Sequence, residues 1–186
     1  KRGLSVVPTT GDKVPAITWK QLQKTPLTEE ELTLALANPR AEAIGIVCGE
    51  VSGGLEVIDI DTKYDITGKL EDDLISCIDP ELLEKLVLAR TISGGLHIYY
   101  RAPSIAGNDK LARRYTTAEE RSKNPSEKIK VLVETRGEGG YIQAPPSNGY
   151  TYIQGDYSTI PTLTAEERSF LLSIARSFNE VEDKPT

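Results

Sequence analysis

The chain has 186 residues, with 22 Lys+Arg against 28 Asp+Glu and a formal net charge of −6, a length that suits one domain with a sizeable core. At 38% hydrophobic and 27% charged it falls in the ordinary range of a globular fold, which excludes a disordered or collagen-like chain. Its longest apolar runs fall well short of the roughly 20 residues that span a bilayer, so a cytoplasmic protein with no membrane partner is expected, and its net acidity argues against strong, indiscriminate DNA binding.

Leu4 to Val7 reads as a short strand, followed by a Gly/Pro-punctuated loop holding Lys13, Pro15, Trp19 and Lys20. Thr28-Glu29-Glu30-Glu31 is a capping-box pattern and predicts a helix over about 28–37, closed at Asn38-Pro39. Ile44 to Cys48 and Leu55 to Ile60 are β-rich runs separated by Gly49, Gly53 and Gly54, which reads as a hairpin. Asp79-Pro80 starts a helix whose expected buried stripe is Leu82, Leu83, Leu86 and Val87. Ala89 to Ile92, the Ser93-Gly94-Gly95 turn and a strand from Leu96 to Tyr100 come next. Residues 101–128 are polar and basic with weak periodicity and read as a long exposed excursion. Ile129 to Glu134 is another strand; Gly137, Gly139 and Gly140 lead into a strand at Tyr141 to Ala144, ending at Pro145-Pro146, and Tyr150 to Ile153 is a last short strand. A second capping box, Thr164 to Glu167, opens a helix with Phe170, Leu171, Ile174, Ala175 and Phe178 on one face.

Strands closed by turns outnumber helices, and few crossovers are long enough for a parallel sheet. The expected class is therefore α+β, a mixed, largely antiparallel sheet with flanking helices. Residues 1–179 read as one domain and 180–186 as the start of a linker. Cys48 and Cys77 have no CxxC spacing and no nearby His, so both read as buried thiols. With no Met, and opening on Lys1-Arg2-Gly3, the chain reads as a piece of something longer.

The strongest chemical signal is Val57-Ile58-Asp59-Ile60-Asp61. In a strand, Asp59 and Asp61 project from one face and Ile58 and Ile60 from the other. Two carboxylates roughly 6–7 Å apart at Cα can converge on hard cations that demand oxygen ligands. So apolar a strand belongs in the middle of a sheet, where unpaired acids are expensive. The second signal is Ser93-Gly94-Gly95-Leu96-His97: the single histidine of the chain stands two residues into a strand, after a glycine turn whose amides could approach a phosphate. The third is Val131-Leu132-Val133-Glu134-Thr135-Arg136, where Glu134 and Arg136 face the same way. They form either a salt bridge or a metal ligand beside a cation that reads phosphate.

An acid-x-acid strand, then Ser-x-x-x-His on a strand, then a carboxylate on a third, together resemble the archaeo-eukaryotic primase superfamily, and more closely the bifunctional DNA primase/polymerase N-terminal domains of phage, plasmid and prophage replication proteins. The resemblance runs through Gly45 to Gly49, Ser52 to Asp61, Thr91 to His97, Glu134 to Tyr141 and Ala144 to Ser147, and includes the Lys13-to-Lys20 loop. It implies an RRM-like catalytic core, with Asp59, Asp61 and Glu134 holding two divalent cations, Mg²⁺ or Mn²⁺. His97 and Ser93, on the Gly94-Gly95 turn, would contact the phosphates of an incoming NTP or dNTP, and Arg136 and Lys63 would assist. DNA template and primer would be partners, with Lys20, Lys110, Arg113, Arg114, Lys128 and Lys130 as candidate template contacts and a helicase domain expected in cis. Glu134 stands where many relatives carry Asp, and there is no Cys/His cluster for the zinc element some of them insert. The implied activity is two-metal, template-dependent nucleotidyl transfer. A lapsed nucleotide- or nucleic-acid-binding module and a metal-dependent nuclease are the alternatives. Residues 101–136 carry 9 basic and 5 acidic side chains, so the basic charge gathers between the His97 and Glu134 strands, and weak, salt-sensitive template binding is expected.

Overall fold

The capping boxes foreseen at Thr28 and Thr164 both form: each threonine hydroxyl accepts the N–H of the residue three on, and Glu31 and Glu167 accept the threonine N–H in return. The computed structural model describes residues 3–182, so the expected linker beyond Glu182 lies outside the described residues. Within them run β1 (Ser5–Thr9), α1 (Glu29–Leu36), β2 (Ala43–Val47), β3 (Leu55–Ile60), α2 (Leu70–Ser76), α3 (Pro80–Lys85), β4 (Val87–Arg90), β5 (Leu96–Arg101), β6 (Asp109–Tyr115), α4 (Ala118–Lys123), β7 (Ile129–Arg136), β8 (Tyr141–Gln143), β9 (Thr151–Gln154) and α5 (Ala165–Ser177). No helix among the described residues is long and apolar enough to cross a membrane.

The strands form two antiparallel sheets, a small one in the order β1-β2-β8 and a large one in the order β6-β7-β3-β5-β4-β9. β3 lies in the interior of the large sheet, between β7 and β5. Its side chains alternate as expected. Ile58 and Ile60 enter a core against Leu70, Leu74 and Leu82 of α2 and α3 and Leu171 and Leu172 of α5. Leu55 and Val57 face Ile46, Cys48 and Ile142 in a second core between the sheets. Each such side chain, fully buried, contributes roughly 1.5–3 kcal/mol. On the helix side the fully buried Glu56 accepts hydrogen bonds from Tyr100 Oη at 2.6 Å and Arg168 at 2.6 and 2.9 Å, tying α5 to the strand that carries Asp59.

Five expectations are corrected. β2 and β3 do not form a hairpin but go to different sheets. Gly49, Gly53 and Gly54 all have positive φ and carry the chain across, and a Cβ on Gly54 would lie 2.4 Å from the Ala102 carbonyl oxygen. Leu86 and Val87 are buried, but α3 stops at Lys85: Leu86 is already extended and Val87 opens β4. Residues 101–128 are no exposed excursion, since they hold β6, α4 and the buried Leu111, Ala112 and Arg114. On α5 the buried face is Leu171, Leu172, Ile174 and Ala175, while Phe170 is exposed. Cys48 is buried, but Cys77 is exposed at the end of α2. α2 itself was not foreseen. Past α5, Val181 is buried and the Glu180 N–H donates to the Arg113 carbonyl, so the chain stays docked on β6 to the end of the described residues.

Candidate active site

In the antiparallel pairing of β3 with its two neighbours, Asp59 stands directly opposite His97 on β5 and Glu134 on β7, and Glu134 stands opposite Lys110 on β6. Directly opposed side chains in such a sheet share a face with Cβ atoms about 4.5–5.5 Å apart. The row therefore places two carboxylates side by side between a histidine and a lysine. Asp61 continues the same face one step past the end of β3, where its N–H donates to the Leu132 carbonyl.

Each carboxylate has its own nitrogen partner. His97 Nε2 lies 3.5 Å from Asp59 Oδ1, Lys63 Nζ lies 2.9 Å from Asp61 Oδ2, and the Arg136 guanidinium pairs with Glu134. The Glu134–Arg136 salt bridge thus exists. It is compatible with either sequence reading, because Glu134 lines an acidic cleft and Arg136 a basic one. Burial pushes the Asp59 carboxyl up, but the hydrogen bond and charge of His97, with Arg136 and Lys13, outweigh it and hold the group below its ordinary value. Glu134 moves the other way. Burial raises it, the Asp59 and Asp61 charges raise it further, and Arg136 and Lys110 only partly offset them.

Asp59 is the wall between two clefts. One, of about 330 Å³, is lined by Asp59, His97, Arg136 and Lys13 together with Trp19, Asn108, Tyr141, Gln143 and Tyr150. The other, of about 230 Å³, is lined by Asp59, Asp61, Glu134 and Glu127, with Lys130 and Tyr64. The first offers three basic groups against one acid and suits an anion. The second offers four acids against one cation and suits a cation. Three carboxylate donors, one of them raised by burial and by its like-charged neighbours, fit a hard divalent ion in chemistry. As arranged, however, no three His, Cys, Asp or Glu side chains among the described residues stand close enough to hold one metal ion. Lys63 is instead paired with Asp61 and Arg136 with Glu134.

Ser93, Gly94 and Gly95 line neither cleft. Ser93 and Gly94 are exposed in a turn beside the Asp61 end of β3, whereas Gly95 is buried, and a Cβ on it would lie 2.3 Å from the Ile60 carbonyl oxygen, which requires glycine there. Lys20 is exposed beside Trp19, and Lys128 is exposed ahead of β7. Lys130 pairs with Glu127 at 2.7 Å and lies over the Tyr64 ring. Lys110 and Arg113 line a third depression with Arg176. Arg114 is corrected as a template contact. It is 2% exposed, and its guanidinium is committed to Glu120, at 2.8 Å twice, and to the carbonyls of Tyr64 and Tyr115.

The sequence reading left unassigned most of the anion-side wall: Lys13, Trp19, Asn108, Tyr141, Gln143 and Tyr150. Lys13 is the non-glycine residue with a left-handed backbone, φ 64°, a conformation that costs about 1–2 kcal/mol. It is held by hydrogen bonds from its N–H to Thr10 and from Tyr141 Oη to its carbonyl, the latter 2.6 Å long. The isolated Lys13-x-Pro15…Trp19 loop and the polar Gln143 inside an apolar run were the available signals.

The Prim-Pol family model, described as bifunctional DNA primase/polymerase, N-terminal, matches residues 1–167. No curated protein matches the chain at a significant level.

Proposed function

The chain belongs to the bifunctional DNA primase/polymerase N-terminal family and so has a primase/polymerase-type function, and from that premise we propose that it is a template-dependent nucleotidyltransferase acting in replication of a phage, plasmid or prophage-like element. The observation that carries the proposal is the cross-strand row His97, Asp59, Glu134, with an anion-suited cleft on one side of Asp59 and an acidic cleft on the other.

In this reading Asp59, Asp61 and Glu134 hold Mg²⁺ or Mn²⁺ once Lys63 and Arg136 give up their carboxylates. A bound divalent ion supplies a lowered pKa at the attacking hydroxyl and offsets charge on the leaving pyrophosphate. Arg136, Lys13 and His97 bind the triphosphate, and Lys63, released from Asp61, adds a further positive charge. The His97 ring is held between Asp59 and Tyr99 on the lining of the cleft that takes the triphosphate. The transfer is an in-line attack of a 3′-hydroxyl on the α-phosphorus, which needs positioning and charge stabilisation and no covalent nucleophile. The depression lined by Lys110 and Arg113, with Lys20, Lys128 and Lys130, offers a template path. Lys110, opposite Glu134, brings that path up to the carboxylate row.

The test is nucleotide incorporation on primed and unprimed single-stranded DNA with Mg²⁺ or Mn²⁺. Activity lost in Asp59→Asn with Asp61→Asn supports the reading. No incorporation with either metal on any template overturns it, and cleavage of DNA without added nucleotide would make the chain a nuclease.

A further inference from the structure

Gln143 ends β8 with its side chain 8% exposed on the lining of the anion-suited cleft. Among the described residues its Oε1 has no hydrogen-bond donor. Leaving a buried acceptor unpaired costs about 1–3 kcal/mol, and an apolar side chain of the same length would avoid that cost. Its strand neighbours offer it no partner. Gly45 of β2 stands opposite it in register with no side chain, and one could not be added, because a Cβ there would lie 2.9 Å from Val7 Cγ1 and 3.0 Å from Tyr141 Cδ2. The neighbouring Tyr141 directs its hydroxyl to the Lys13 carbonyl, and Ile142 turns into the inter-sheet core.

The cleft lining divides by chemistry. Lys13, Arg136 and His97 suit phosphates, whereas Trp19, Tyr141, Tyr150 and the Gln143 amide suit a nucleoside, with aromatic rings for its flat or apolar parts and one acceptor for a donor. Trp19 and Tyr141 already pack edge to face, with ring centroids 4.8 Å apart. We propose that Gln143 is a specificity residue that reads the nucleoside of the incoming nucleotide, its Oε1 accepting a hydrogen bond from a sugar hydroxyl or a base N–H. This rests on the polymerase reading above, which needs a nucleotide in the same cleft.

Trp19 is the single tryptophan of the chain and lines this cleft, so its fluorescence reports occupancy directly. Titrating the wild-type chain and Gln143→Met with ribo-, deoxy- and dideoxynucleoside triphosphates of each base, and with inorganic tripolyphosphate, tests the assignment without any turnover. Gln143→Met should weaken nucleoside triphosphate binding about tenfold, one lost hydrogen bond's worth. It should leave tripolyphosphate binding unchanged and the melting temperature no lower, since an orphaned amide has been removed. A loss confined to ribonucleotides, or to nucleotides with a 3′-hydroxyl, identifies a sugar donor, and a loss confined to particular bases identifies a base donor. Unchanged nucleotide affinity, or an equal loss for tripolyphosphate, overturns the assignment while leaving the polymerase reading intact. Absence of any nucleotide binding by the wild-type chain would bring down both. Gln143→Leu repeats the comparison should the methionine variant misfold.

Discussion

Asp59 and Glu134 face each other across two paired strands, yet their carboxyls are displaced in opposite directions. Burial raises both, but Asp59 has His97 as a hydrogen-bonding neighbour, while Glu134 has Asp59 and Asp61 as like charges. What makes Asp59 dependable is therefore the placement of one imidazole. His97 is 4% exposed, its Nε2 is turned to Asp59, and its Nδ1 lies 3.2 Å from the hydroxyl of the fully buried Tyr99. If Tyr99 donates to Nδ1, the ring carries its hydrogen on Nε2, facing Asp59. Tyr99→Phe should then leave a buried ring nitrogen unpaired and lower stability by about 1–3 kcal/mol. Because the chain has one histidine, its two imidazole ¹⁵N resonances are unambiguous. They should show the Nε2–H tautomer in the wild type and a mixture in the variant. Identical spectra would mean that Tyr99 does not hold the ring.

At the scale of elements, β6 and α4 show why one stretch of sequence misleads. Asp109–Tyr115 should alternate as a strand, but the register of β6 on β7 shifts between Lys110 and Ala112 and again between Ala112 and Arg113. The irregularity puts Leu111 and Ala112 both inside and buries Arg114, breaking the period of two on which sequence reading depends. A buried arginine is also invisible in sequence until its partner is known, and here Glu120 is that partner, reached only because α4 folds back. Elements announced by local chemistry were legible: the Thr28 and Thr164 boxes, Pro80 at the start of α3, and the doubly apolar face of β3. The Glu120 carboxyl is held at about 2, against an ordinary 4.5, by its hydrogen bonds from Arg114 and then from the Thr117 N–H. Because the folded-state value is the lower one, the stabilisation is complete above pH 4.5 and drains away as pH falls toward about 2. Glu120→Gln keeps the capping geometry and removes the charge. Its melting temperature should lie below the wild type's at neutral pH, with the gap closing across that acid window. A gap independent of pH would show that Arg114 does not draw on the carboxylate charge.

For the molecule as a whole, the carboxylate row was legible in the sequence, since Asp59, His97 and Glu134 lie on strands that pair directly and Asp61 follows β3. The opposing wall was not, because Lys13, Trp19 and Gln143 reach the cleft only after the small sheet has brought β1 and β8, far apart in the chain, to either side of β2. The cleft therefore spans two sheets. The large sheet contributes acids with His97 and Arg136, and the small sheet with its loop contributes Lys13 and the aromatic side. A nucleotide lying in it would bridge the sheets, and a divalent ion would relieve the repulsion among Asp59, Asp61 and Glu134, so each ligand should favour the other. At 100 times the dissociation constant, binding adds about 2.7 kcal/mol, and in a domain of this size each kcal/mol moves the melting temperature by about 2–4 °C. Mn²⁺ with a nucleoside triphosphate should raise the midpoint by about 5–10 °C, more than the two separate shifts combined. In Asp59→Asn with Asp61→Asn the metal-dependent part should disappear while a smaller nucleotide shift, carried by Lys13 and Arg136, survives. Strictly additive shifts in the wild type would mean that the acidic cleft and the anion cleft on either side of Asp59 work independently, and that the row across β5, β3 and β7 does not join them into one site.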